Sequence, residues 1–171
     1  MPTRKPAATE SADYYFTYIN QVPAGDVRAA LAAQSEPTLT LLRGISDERS
    51  RHRYAPDKWT IRQVVSHIND CERLFVFRAM WFARGFTSPL PSFDQDVAIT
   101  HADPDAREWK TLIDEFDAIR RATVAFFGTL PADAWDRIGT ASDRPFSVRA
   151  LAYIAAGHTE HHVRILRERY L

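Results

Sequence analysis

Three of the chain's six histidines, His158, His161 and His162, fall inside the stretch GHTEHHVRIL at residues 157–166. Imidazoles this dense can be metal ligands, a base with polar neighbours, or one polar turn of helix. Helical geometry, at about 100° per residue, separates them. With His158 at zero, Leu151 falls at about +20°, Ile154 at about −40°, Ala155 at about +60° and Ile165 at about −20°. His158 therefore sits in the middle of an apolar stripe. His162, at about +40°, lies on the same stripe one turn on, whereas His161 at about −60° is on its edge and Glu160 at about 200° is opposite. Two imidazoles at i and i+4 on one face can share an ion, as in H-E-x-x-H helices. That motif itself is absent, because Thr159 stands where its glutamate base would be.

A metal site needs a further ligand, and an earlier segment supplies one. With His67 at zero, Cys71 lies at about +40°, Val64 at about +60°, Phe75 at about +80° and Leu74 at about −20°, so His67 shares an apolar face. A buried neutral histidine requires hydrogen-bond partners, and a divalent ion between His67, His158 and His162 would satisfy three at once. The alternative is that each is a hydrogen-bonded core residue. Cys71 is then a fourth ligand or a small core side chain, and Asp70 orients a ligand or pairs with an arginine. His52 and His101 carry no usable pattern.

Three imidazoles leave a coordination position open, as catalytic sites do, while structural zinc sites close with four protein ligands. Nitrogen ligands suit zinc, nickel or ferrous iron. The open position is compatible with hydrolysis by an acidified water or with attack by a substrate thiolate. In the segment SFDQD, Asp94 and Asp96 are the candidate proton-transfer or ligand-orienting groups, or else solvated loop caps.

Four amphipathic helices must position these residues. The first spans about Asp26 to Ile45, with Pro37 expected to kink it or break it near Ser35. The second opens at KWTIRQ, where Thr60 and Gln63 form a capping box and Trp59 can staple to Val64; it runs to about Arg84 and stops at Gly85. Residues 85–102 read as a long loop, the kind that walls a site. Asp103 is expected to cap the third helix, with Pro104 at its first position. The last opens at Ser147. The pattern predicts an all-α four-helix bundle with little strand.

At 171 residues and 45% hydrophobic content, the chain suits one packed domain over residues 15–171 behind a flexible tail, residues 1–14. Lys+Arg and Asp+Glu both number 22, which argues against nucleic acid and anionic membrane as partners. No run approaches the ~18 apolar residues of a membrane span. A single cysteine fits a reducing cytoplasm.

The segments KWTIRQVVSHINDCERLFVFRAMWFARG, PLPSFDQD and SVRALAYIAAGHTEHHVRILRERY stand in an order that resembles the DinB/YfiT-like superfamily, from about Tyr15 onward. The resemblance implies a down-up-up-down bundle with a long crossover, commonly a homodimer. It implies a metal triad at His67, His158 and His162 holding zinc or nickel. It also implies a small-molecule substrate, with hydrolase or low-molecular-weight-thiol S-transferase activity. The competing expectation is a bundle stabilised by metal that binds a partner without turnover.

Overall fold

The KWTIRQ segment folds as its residues dictate. In the computed structural model, which describes residues 4–171, Thr60 caps helix α4 (Ile61–Ala83): its hydroxyl accepts from Gln63 N–H, and Gln63 reaches back to the Thr60 N–H. Trp59 packs against the same apolar cluster as Val64, completing the staple. The helix ends where Gly85 takes a φ of 83°. Helix α7 (Val148–Ile165) starts in the same manner at Ser147, whose hydroxyl accepts from Ala150 N–H at 2.9 Å. It continues into a π-helical turn, Leu166–Tyr170.

Together with α2 (Val27–Arg43) and α6 (Trp109–Gly128), these make a four-helix bundle in which α4 and α2 each pack against both α6 and α7. The short helices are α1 (Phe16–Ile19), α3 (Asp47–Ser50) and α5 (Gln95–Ala102). Among the described residues, no helix is long and apolar enough to cross a membrane.

The interior divides into two apolar clusters. One gathers Leu31, Phe75, Phe82, Phe127, Leu151 and Tyr153; the other gathers Leu39, Leu42, Val65, Leu112, Phe116 and Leu166. A buried polar layer, containing Glu72, Arg120 and Thr159, lies where one cluster gives way to the other. Arg120 of α6 binds this layer together. Its Nε and Nη2 grip the Glu72 carboxylate at 2.8 and 2.7 Å, Nη2 also donates to Thr159 Oγ1, and Nη1 donates to Gln34 Oε1 and Leu31 O. One guanidinium thus links all four helices.

Several expectations need correction. Helix α2 runs unbroken through Pro37, because Leu31, Leu39 and Leu42, on either side of the proline, are all buried against the bundle. Residues 85–102 are not one loop: Asp94 accepts from the Asp96 and Val97 N–H groups and starts α5, which buries only Ile99 and so shows no amphipathic period. Asp103 does not cap α6. It closes α5 at φ 41°, Pro104–Ala106 forms a 3-10 turn, and α6 begins at Trp109. The carbonyls of Asp105 and Arg107 accept instead from the buried Arg62 guanidinium, which takes them out of any helical ladder.

A small antiparallel hairpin, β1 (Ile138–Ala141) and β2 (Arg144–Ser147), turns through Ser142 and Asp143 at φ 50° and 58°. Leu90 pairs with it, donating to Thr140 O and accepting from Ser142 N–H. This pins the chain leading into α5.

The expected loose tail also departs from the structure. Residues 1–3 lie outside the described residues, but Ala8–Glu10 and Asp13–Tyr15 form 3-10 turns. Glu10 is buried and binds Arg149 Nη1 at 2.6 Å and Arg4 Nη1 at 2.7 Å. The segment then lays Tyr18 on α7 at Gly157, where a Cβ would run into the Tyr18 carbonyl oxygen. A glycine inside a helix is explained by that close backbone approach.

Substitutions at Gly157 and Glu10 test this seating of the N-terminal segment. Gly157→Ala gains about 1 kcal/mol of helix propensity but forces a backbone clash, so net stability falls by about 1–2 kcal/mol. Urea unfolding reads it, and an unchanged midpoint would show that the segment is not seated there. Burial alone would raise the Glu10 pKa, yet the Arg4 and Ala7 hydrogen bonds and the Arg149 charge hold it below the ordinary 4.5. The unfolded chain therefore binds this proton first, so the contribution is complete above about pH 4.5 and is lost as pH falls. Glu10→Gln costs about 2 kcal/mol at neutral pH, less than a fully orphaned buried cation would, because Asp136 still binds Arg149. The wild-type advantage over the variant should shrink in acid; a constant difference would refute the ion pair.

Candidate metal centre

His67 projects from α4 and His158 from α7 at the level where the two apolar clusters meet. Both are buried, and their Nε2 atoms face each other at 3.0 Å. Two nitrogens sharing a tetrahedral ion would stand about 3.3 Å apart, so the spacing fits a common ligand. His162, one turn on, is half-buried, with its ring 4.5 Å from that of His158 and 4.9 Å from that of His67. The three inward histidines expected from helical geometry are therefore in mutual ring contact.

Cys71 is the fourth member of the cluster. Its Sγ lies 3.6 Å from His67 Nδ1, and donor atoms of His67, Cys71 and His158 all fall within 4.8 Å of one another. The residue grouped with the pair by donor distance is Cys71 and not His162, which helical periodicity alone does not reveal. Burial, then the Asp70 charge, pushes its thiol up to about 12.

Burial also sets the charge of the imidazoles. It lowers His67 to about 4 and His162 to about 3, with neighbouring histidines adding to the effect, and it drives His158 well below its ordinary 6.5. At neutral pH all three are uncharged, the form that offers a lone pair to a metal. Among the described residues no carboxylate hydrogen-bonds to any of them, so the set reads as a ligand cage rather than an acid–base relay.

The surroundings hold the rings in place. Trp59 packs on His67 at 4.9 Å, while Tyr18 and Phe75 present edges to His158 at 5.2 and 5.6 Å. Tyr18 is itself fixed by a 2.9 Å hydroxyl contact with Tyr14. His161 lies outside the cluster proper, against Tyr18 and within 3.4 Å of Gln21. Glu160 accepts from Gln34 at 3.1 Å and does not reach the histidines.

Cavities open on two sides. One, of about 110 Å³, is lined by His67, Cys71, His158, Arg78 and the tyrosines 14, 15 and 18. The other, of about 290 Å³, is lined by His162, Trp59, Asp57, Lys58, Asp96 and Tyr170. Gln95, at the start of α5, lines both. Asp96 thus borders the site, whereas the Asp94 carboxylate is engaged in capping α5. Sequence reasoning missed Arg78, although eleven residues after His67 it falls at about +20° on the same buried face. It also missed the tyrosines of DYYFTY, whose clustering was the available signal.

Residues 30–166 match the family model of the DinB superfamily, well over half of the chain. The fold is similar to that of YfiT from Bacillus subtilis, described as a probable metal-dependent hydrolase with an unusual four-helix bundle topology. The TM-score is 0.71 at 16% identity, over 96% of this chain and 90% of that one. It is also similar to a mycothiol-dependent maleylpyruvate isomerase, with a TM-score of 0.69 at 13% identity over 85% of this chain. This chain spans 61% of the isomerase's length. At such identities the likeness is one of fold. Among curated proteins none matches the sequence significantly. The chain belongs to the DinB superfamily.

Proposed function

We propose that this protein is a metal-dependent enzyme acting on a small molecule, with His67, His158 and His162 holding a divalent ion, zinc or nickel. The observation that carries the reading is the mutual contact of three inward, uncharged imidazoles with cavities beside them. A divalent ion held there supplies Lewis acidity, lowering the pKa of a water or thiol and polarising an electrophile. The protein's own groups do the rest. Tyr18, Phe75 and Trp59 fix the rings and keep their inner side dry, which strengthens every polar interaction at the site. Asp96, at the wall of the larger cavity, takes up a proton released during reaction.

Hydrolysis is the first reaction class on this reading, supported by a carboxylate on the open side and by the description of the similar Bacillus fold. Transfer involving a low-molecular-weight thiol is the alternative enzyme reading, supported by the mycothiol-dependent fold. A non-catalytic reading also has an observation in its favour. Cys71 would close the coordination sphere with His67 and His158, as structural zinc sites do. Against it, Cys71 would have to give up its thiol proton on binding the ion, whereas neutral His162 has none to lose from its donor nitrogen.

Metal analysis of purified full-length protein tests the ligand set. Wild type should hold about one ion per chain, His67→Ala, His158→Ala and His162→Ala should each lose most of it, and His161→Ala and Cys71→Ala should keep it. Retention by His162→Ala together with loss by Cys71→Ala would move the site to the His–Cys–His set.

Chelation and pH separate enzyme from metal-stabilised bundle. In the metal-free protein the unfolded chain protonates these histidines near 6.5, while folded His67 does so only at about 4. The unfolded state therefore binds more protons across that window. Stability is full above about pH 6.5 and declines as pH falls toward about 4. Thermal melts after chelation should show a folded protein at pH 8 that weakens in this window. Unfolding on chelation at pH 8 would assign the ion to folding rather than turnover.

A further inference from the structure

Four arginines are buried: Arg62, Arg78, Arg120 and Arg149, each at most 2% exposed. Three of them meet a carboxylate. Arg62 pairs with Asp47, Arg120 with Glu72, and Arg149 with Glu10 and Asp136. Arg78 does not. Its Nη2 donates to Pro91 O at 2.9 Å and Ser142 Oγ at 3.0 Å, both neutral acceptors, and its buried Nε has no hydrogen-bond partner. Tyr15 also faces the guanidinium, but burial raises the pKa of that phenol and keeps it neutral. Among the described residues no acidic group lies within ion-pair distance of Arg78. A buried guanidinium without an anion is costly, and removing one partner of such a pair is among the most destabilising of changes. In Arg120, by contrast, every guanidinium nitrogen is engaged.

The position of Arg78 says where the missing anion belongs. It lines the cavity of about 110 Å³ that His67 and His158 also line, and no carboxylate contributes to that lining. The remaining walls include the tyrosine cluster, Cys71, Phe75, Gln95 and Ser142, a mixture of aromatic faces with thiol, hydroxyl and amide groups. The cavity is less than half the volume of the one beside His162, about 290 Å³, so the space suits a compact group.

We infer that this cavity is a subsite for a small carboxylate, bound by the Arg78 guanidinium and set against the histidine cluster. The substrate class is then a small carboxylic acid whose reacting atom faces His67 and His158. The inference rests on the preceding reading for its catalytic meaning but not for the binding itself. Carboxylate is favoured over phosphate because a single guanidinium, with no second Lys or Arg in the cavity lining, matches a monoanion, whereas a phosphate dianion calls for more donors. Arg78 acts here as a specificity-determining residue, held by hydrogen bonds to Ser142 Oγ and the Pro91 carbonyl.

The test titrates the purified full-length protein with ¹³C-carboxyl propionate, its neutral isostere propionamide, and inorganic phosphate, followed by NMR. Propionate should bind, and propionamide and phosphate should bind at least about tenfold more weakly. Arg78→Gln should weaken propionate by about tenfold or more, and Arg78→Lys, which keeps the charge but loses the fork, should fall between. Circular dichroism monitors folding, and if Arg78→Gln does not fold, Arg78→Lys carries the comparison. Equal propionate affinity in the folded variant, phosphate binding as tightly as propionate, or no propionate binding by wild type would each overturn the inference. Metal content is measured on the same samples. A protein that binds propionate but no ion upholds the subsite and overturns the metal reading; one that holds an ion but no propionate does the opposite.

Discussion

The site depends on one interaction that is not part of it, the grip of Arg120 on Glu72 in the middle of the bundle. Taking both charges out of water is expensive, and their mutual attraction recovers the cost only with good geometry and full hydrogen bonding. Here the geometry is bidentate, and Gln34, Thr159 and the Leu31 carbonyl occupy the remaining donors. A slide of any helix by one turn would strand a buried charge. The pair thereby fixes the register of the helices, the best-attested use of buried polar groups in helical assemblies. Glu72 adjoins Cys71, and Thr159 adjoins His158. The clamp that aligns the helices is consequently within one residue of the groups that must converge.

With register fixed, burial does the chemical tuning. Nothing acidic hydrogen-bonds to the three imidazoles among the described residues, and desolvation is the largest cause holding them neutral. The N-terminal segment contributes to that dry environment: it crosses α7 at Gly157 and lays Tyr18 against His158 and His161. Glu10 anchors the same segment through Arg149. Of residues 1–14, which composition assigns to a tail, Tyr14 lines the cavity beside the histidines.

Which features could be read from sequence follows the range of the interaction that makes them. The capping box at Thr60, the cap at Ser147 and the inward positions of His67, His158 and His162 are set by neighbours within a turn or two, and periodicity revealed them. Helix α5 was missed because it buries only Ile99 and has no stripe to detect. The start of α6 was misplaced because Asp103 and Pro104 make a good local signal that Arg62, from another helix, overrides. Cys71 lay on the right face, yet its closeness to His158 depends on how α4 and α7 pack. The burial of Glu10 depends on Arg149, far along the chain, and no local pattern announces it.

Arg78 shows how far such a reading extends once packing is known. On its helix it occupies the face of His67, Cys71 and Phe75, where a charge is out of place. In Arg62, Arg120 and Arg149 the same anomaly is resolved by a carboxylate from another element. The architecture therefore has the means to neutralise buried arginines and does so three times. That it leaves the fourth without an acidic partner, beside the histidines and at the wall of a cavity, separates a structural cation from one kept for a ligand. The metal cluster alone specifies a type of chemistry. The uncompensated charge next to it specifies which end of a substrate would enter first.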